Sequence, residues 1–161
     1  MRISILLSII ILFFLNTSVF GQEKLDTQVE TKKHSLGIAA GSTIGYGLAY
    51  RYMPKRFGVQ ITTHIIPNGW YNNNSVTFLY QLRKRKYSKF FLYQSNLYSN
   101  YWGYGFMMMS APSFHWNNGL GFGVELFLGK HLGLNLMGGI GCYDSFKEIT
   151  LTAESGLFYK F

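Results

Sequence analysis

Cysteine is all but missing: Cys142 is the single one in 161 residues. An internal disulfide and a cysteine-built zinc cluster are therefore excluded. Proline occurs only three times, and Asp and Glu together only seven times. Charged residues make up 14% of the chain, well below the roughly 25% usual for a soluble domain. Disorder is excluded as well, because it needs low hydrophobicity with high charge, and 48% of these residues are hydrophobic. What the chain does have is 14 Phe, 12 Tyr and 18 Gly, a composition of many short strands rather than of an ordinary cytosolic enzyme. A net charge of +8 would suit nucleic acid if the basic residues formed one patch, but their placement argues otherwise. The four histidines and seven acids show no metal-ligand spacing, so neither a metal nor any other cofactor is expected.

Residues 1–21 read as a signal peptide. Met1-Arg2 is a short positive start, and Ile3 to Leu15 is an apolar run broken only by Ser8. That run is too short to span a bilayer as a helix, which takes about 20 residues, but it fits the core of a secretory signal. Val19-Phe20-Gly21 places compact residues before a cut between Gly21 and Gln22. Residues 22–33 are polar and without period, a flexible lead-in.

From residue 34 to 161 the hydrophobicity alternates. Phe57, Val59, Ile61 and Ile65 share one parity, against Gly58, Gln60, Thr62 and His64. Leu132, Leu134, Leu136 and Ile140 oppose Gly133, Asn135, Gly139 and Gly141; Leu151, Ala153, Leu157, Tyr159 and Phe161 oppose Thr152, Glu154, Gly156, Phe158 and Lys160. Successive side chains of a strand point to opposite faces. Similar alternation over 36–41, 44–52 (with Ile44 on the oily side), 76–83, 90–98 and 120–128 makes eight strands, with the first turn near Gly41-Ser42-Thr43 the weakest boundary and one long strand from Leu36 to Met53 the competing division.

The two faces decide the class. The oily face carries large Leu, Ile, Phe and Tyr with no helix or second sheet to cover it. The other face is Gly, Ala, Thr, Asn and Gln, small residues that relieve crowding inside a narrow barrel. Lipid can cover the oily face, and a closed sheet leaves no backbone edge for hydrocarbon to forbid. Alternating strands of about 9–11 residues are the transmembrane barrel pattern. The expected fold is all-β, an eight-stranded antiparallel up-and-down transmembrane β-barrel. A soluble periplasmic lipid-binding barrel is the rival architecture.

The ending Gly156-Leu157-Phe158-Tyr159-Lys160-Phe161 resembles the C-terminal assembly signal of bacterial outer-membrane β-barrels, with Leu157, Tyr159 and Phe161 in its apolar places. With the secretory start, the chain resembles the small OmpA/OmpX-like barrels of Gram-negative outer membranes. The resemblance implies outer-membrane localisation and recognition of Leu157, Tyr159 and Phe161 by the barrel-assembly machinery. It also implies a lipid and lipopolysaccharide environment. A monomer with no nucleic-acid partner is expected.

By the convention of that class both ends of the mature chain are periplasmic. The periplasmic turns then carry Lys55-Arg56, Lys84-Arg85-Lys86 with Lys89, and Lys130-His131, all basic. Such a rim suits anionic headgroups or simply keeps the turns in water. Two outer loops, Asn68 to Asn74 and Asn100 to Asn118, carry no Lys, Arg, Asp or Glu. Their aromatics Trp70, Tyr71, Tyr101 and Trp102 suit surface recognition or an interfacial aromatic belt.

Enzyme chemistry is not expected. Ser113 and His115 lie two apart, but a Ser-His pair needs an orienting carboxylate, and no acid stands near His115 in sequence. A lipid A acyl-transferase or deacylase is the rival function. In the lumen, Arg51, Glu125, Glu154 and Lys160 share the inward parity. Eight strands leave an interior just wide enough for side chains, where charges need partners. These four are expected to form a structural ion-pair network in a barrel that does not conduct.

Overall fold

The structure, a computed structural model, describes residues 32–64, 71–101, 104–105, 108–109 and 113–161. Residues 1–21, expected to be a signal peptide, and nearly all of the expected lead-in lie outside the described residues, as do Trp70 and Trp102. The barrel strands are β1 (His34–Gly41), β2 (Gly45–Tyr52), β3 (Phe57–Thr63), β4 (Tyr71–Lys84) and β5 (Ser88–Tyr101), then β8 (Ser113–Leu128), β9 (Leu132–Tyr143) and β10 (Glu148–Lys160). A short hairpin, β6 (Tyr104–Gly105) with β7 (Met108–Met109), forms a separate two-stranded sheet.

The eight long strands pair antiparallel with their sequence neighbours, and β1 pairs with β10 to close the barrel. Leu36 faces Tyr159 across this seam. Followed the other way round, through Tyr50, Ile61, Val76, Asn96, Asn118 and Cys142, the same row returns on β10 at Ile149. The offset between Tyr159 and Ile149 is the stagger that closure of tilted strands requires. At the seam the two backbones approach closely: a Cβ on Gly37 would lie 1.9 Å from the carbonyl oxygen of Leu157.

The faces sort as the alternation implies. Ile38, Ile61, Phe78, Leu120, Phe122 and Leu151 are exposed, Leu151 by 83%. Inside, Phe91, Tyr93, Phe158, Leu79 and Met137 are buried together with Arg51, Gln60, Glu125 and Asn135. On β5, where both parities carry aromatics, Phe91, Tyr93, Ser95 and Leu97 point inward, and Phe90, Leu92, Gln94, Asn96 and Tyr98 take the outer face.

Two expectations need correction. Strands β4, β5 and β8 run further than the hydrophobic alternation does, so Tyr71 to Asn74, Asn100-Tyr101 and Ser113 to Asn118 are strand rather than loop. Asn and aromatics there continue the ladder, because main-chain pairing does not need an apolar face. The first turn, by contrast, lies where it was expected: 36–41 and 44–52 belong to two strands of a hairpin rather than to one long strand, with Gly41 paired to Gly45. Gly45 has φ +71, a conformation open to glycine. Second, Ile44 does not share the oily face. The turn breaks the parity and folds Thr43 and Ile44 into the barrel, both fully buried.

Candidate functional site

Two polar clusters occupy the lumen, one above the other, and a third lies at the rim away from the termini. The first centres on Glu125 of β8, 1% exposed. Lys89 Nζ lies 2.7 Å from its carboxylate, Lys160 Nζ 2.8 Å and Arg51 Nη1 3.6 Å. Arg51 also donates to Gln60 Oε1 from Nε (3.1 Å) and Nη2 (2.6 Å), and its guanidinium stacks 4.2 Å from the Phe158 ring centroid. Lys160 Nζ sits 3.8 Å from the Phe127 centroid. A lone carboxylate among three cations is held by charge-assisted bonds from several strands at once.

Of the four residues assigned to a lumen network, the structure brings together Arg51, Glu125 and Lys160 and leaves Glu154 apart. No cation among the described residues lies within ion-pair distance of Glu154. Its carboxylate instead accepts from Thr43 Oγ1 and from Thr152 Oγ1 (2.9 Å). Thr43 is bonded to Ser95 (2.7 Å), and Thr152 to Ser42 (2.8 Å). The physical reason is height. On β10, Lys160 is near the terminal rim and Glu154 further along the strand, beside the inward-folded first turn. Shared parity fixes a face, not a depth.

Lys89 was missed. Counted with the turn that precedes it, this lysine belongs to β5 and shares the inward parity of Phe91 and Tyr93. Marking β5 from Ser88 rather than Phe90 would have found it.

At the rim away from the termini, β8 fastens two turns. Asn117 Nδ2 donates to Ser42 O (3.3 Å), and Asn117 Oδ1 accepts from Asp144 N (3.2 Å). His115 Nδ1 donates to Asp144 Oδ1 (3.1 Å), and Lys147 Nζ to Asp144 Oδ2 (2.7 Å). Phe146 meets Trp116 edge-on, with centroids 6.4 Å apart. Asp144, Ser145 and Phe146 all have φ between 46 and 72, a left-handed run uncommon for residues other than glycine, and these contacts hold it. The hydrogen bonds from Lys147 and His115 keep the Asp144 carboxyl below its usual range, and Asp144 raises Lys147 in turn. The carboxylate missing from the sequence neighbourhood of His115 is supplied by Asp144 of the β9–β10 turn. Tyr71 and Tyr101 stand opposite each other at the ends of β4 and β5.

Aromatic rings girdle both ends of the outer face. At the terminal rim His34 stacks on Phe161 (5.9 Å), His131 on Tyr159 (5.3 Å) and Phe57 packs on Tyr80 (5.0 Å). At the far rim Tyr98 stacks on Phe114 (6.1 Å) near Trp116. The turns at the terminal rim carry Lys55, Arg56, Arg85, Lys86, Lys130 and His131.

No protein-family model matches this chain, and no curated protein sequence does. Among solved structures, it is similar to the N-terminal β-barrel domain of Pseudomonas aeruginosa OprF, with 10% identity and a TM-score of 0.59 over 80% of this chain and 96% of that one. Neisserial surface protein A is matched at 13% identity and TM-score 0.43, over 80% of this chain and 94% of that one. Ail, the attachment invasion locus protein of Yersinia pestis, is matched at 14% and 0.40, over 80% and 96%. With its own closed sheet and the OprF match, the chain has the fold of the small eight-stranded antiparallel barrels.

Proposed function

We propose that this protein is a small outer-membrane β-barrel with a structural or surface-interaction role, closed to ions and without enzymatic activity. The observation that carries the reading is a closed barrel turned inside out relative to a soluble one. Large apolar side chains cover its outer face between two aromatic girdles, while Arg51, Glu125 and Glu154 are buried in its lumen. In water such a face would be an aggregation hazard; in hydrocarbon it is the solvated one. The OprF likeness supports the same reading. The basic terminal rim suits the anionic surface of the inner leaflet, which supports a periplasmic position for the termini.

The lumen contents support a closed barrel. Arg51, Phe91, Phe158, Gln60 and Glu125 are each at most 2% exposed and meet in one cross-section. Asp144 near His115 gives an enzyme reading one of its parts, but the same carboxylate is shared with Lys147 and fastens a turn.

Fractionation of cells expressing the full chain tests the reading. The protein is expected in the outer membrane, as a band that migrates differently before and after boiling. Purified protein in planar bilayers is expected to give no discrete conductance step, and lipid A from cells with and without the protein to have the same masses. Protein in the soluble periplasmic fraction would restore the soluble-barrel reading.

A further inference from the structure

Among the described residues, the outer face carries a pair of carboxamides within its apolar band. On β5 the outward residues run Phe90, Leu92, Gln94, Asn96, Tyr98. Phe90 and Tyr98 belong to the two ends of the band, so Gln94 lies midway between them. On the neighbouring strands Gln94 is flanked by Phe78 and Leu120, and Asn96 by Val76 and Asn118. Elsewhere at this depth the outward residues are Leu48, Ile61, Phe122 and Leu136, with the single hydroxyl of Ser155 on β10.

The two carboxamides bond to one another. Gln94 Nε2 donates to Asn96 Oδ1 (3.0 Å) and Asn96 Nδ2 to Gln94 Oε1 (3.2 Å). This uses one lone pair of each oxygen and leaves a second, and it leaves Asn96 a second N–H. Both side chains are partly exposed. The remaining donor and acceptor capacity therefore faces hydrocarbon, where no water can take it up.

We propose that this amide patch on β5 is a self-association surface, whose occupant is a second copy of the chain. All copies share one orientation in the membrane, so a two-fold axis must run along the membrane normal. Such an axis sets β5 of one copy across β5 of the other, and only the same residue lies at the same depth on both. A charge so placed would meet its like and repel. A carboxamide meets a group that both donates and accepts, so Gln94 and Asn96 are complementary to themselves. Polar side chains join membrane segments in this way, and a two-fold interface is the commonest symmetric solution. The pairing replaces the monomer expected from the sequence. It rests on the outer face lying in lipid, as proposed above.

The test uses full-length protein expressed in cells and, once purified, refolded into lipid vesicles. Leu92→Cys in a Cys142→Ser background places a thiol on β5 beside the patch; Leu157→Cys in the same background places one on β10. On oxidation the β5 thiol is expected to give a disulfide-linked dimer and the β10 thiol none. Gln94→Leu with Asn96→Leu, added to the β5 thiol chain, exchanges the amides for lipid-compatible side chains, so folding survives. Its self-association in vesicles is expected to weaken about tenfold. Equal cross-linking from β5 and β10, or dimers indifferent to the leucine changes, would overturn the proposal, and so would a monomer throughout. Fractionation separates the two readings. Protein in the outer membrane but monomeric defeats only the inference, whereas protein found outside that membrane defeats the functional reading.

Discussion

At the residue scale, the two lumen carboxylates differ in what their loss exposes. Glu125 is enclosed by Lys89, Arg51 and Lys160. Glu125→Gln leaves buried Arg51 and Lys89, and part-buried Lys160, without a counter-charge, and breaking such a buried set costs about 3–5 kcal/mol. The urea midpoint of protein refolded in vesicles is expected to fall accordingly. Glu154 accepts from two hydroxyls and from the Thr43 main chain, neutral donors that a glutamine carbonyl also accepts, so Glu154→Gln should change stability by about 1 kcal/mol or less. Asp144 offers a pH test. Its carboxyl is depressed by Lys147 and His115, so the ion contacts of the β9–β10 turn are complete above the ordinary carboxylate range. They are lost as pH falls through the depressed value. An NMR titration of the Asp144 carboxyl should show a midpoint below the ordinary aspartate value of about 3.9, moving up toward it in Lys147→Ala.

At the element scale, β10 is the strand on which closure depends, since it joins β9 on one side and β1 on the other. Its end is anchored by main-chain bonds: Phe161 N donates to His34 O (3.0 Å) and Lys160 N to His131 O (2.7 Å). The Phe161 ring lies on His34. Deleting Phe161 removes one of these bonds and the stacking together, and is expected to lower the yield of the heat-modifiable form in the outer membrane. Total expressed protein, measured in the same cells, should not change in proportion. The elements were largely legible: the alternation in 57–65, 120–128, 133–141 and 149–161 marked β3, β8, β9 and β10. The outer ends of β4, β5 and β8 were not, because Asn72 to Asn74 and His115 to Asn118 carry no apolar alternation. Their strand character comes from pairing across the barrel.

At the scale of the whole molecule, the barrel's inside and outside are set by which parity meets lipid. Ala153 is outward on β10, opposite Gly138 of β9. Ala153→Arg puts a charge into the apolar band and is expected to cost about 2–4 kcal/mol near its midplane, read as a lower urea midpoint in vesicles. Lys86→Gln, in a turn at the terminal rim, should shift that midpoint little. Equal effects of the two would mean that the outward face does not lie in lipid.

Alternation alone determined the class, because a period of two assigns each residue to one of two faces, and a face of uncovered Leu, Ile and Phe has few solvents to meet. It could not determine depth. Depth depends on the stagger with which β1 and β10 close, and that is a property of all eight strands together. So parity named Arg51, Glu125, Glu154 and Lys160 as inward. Only closure grouped three of them with Lys89 and set Glu154 among Thr43 and Thr152. The β8–β9 pairing carried Asp144 to His115, while only closure brought Arg51 of β2 to Glu125 of β8, because strands far apart in the chain become neighbours only when the sheet meets itself.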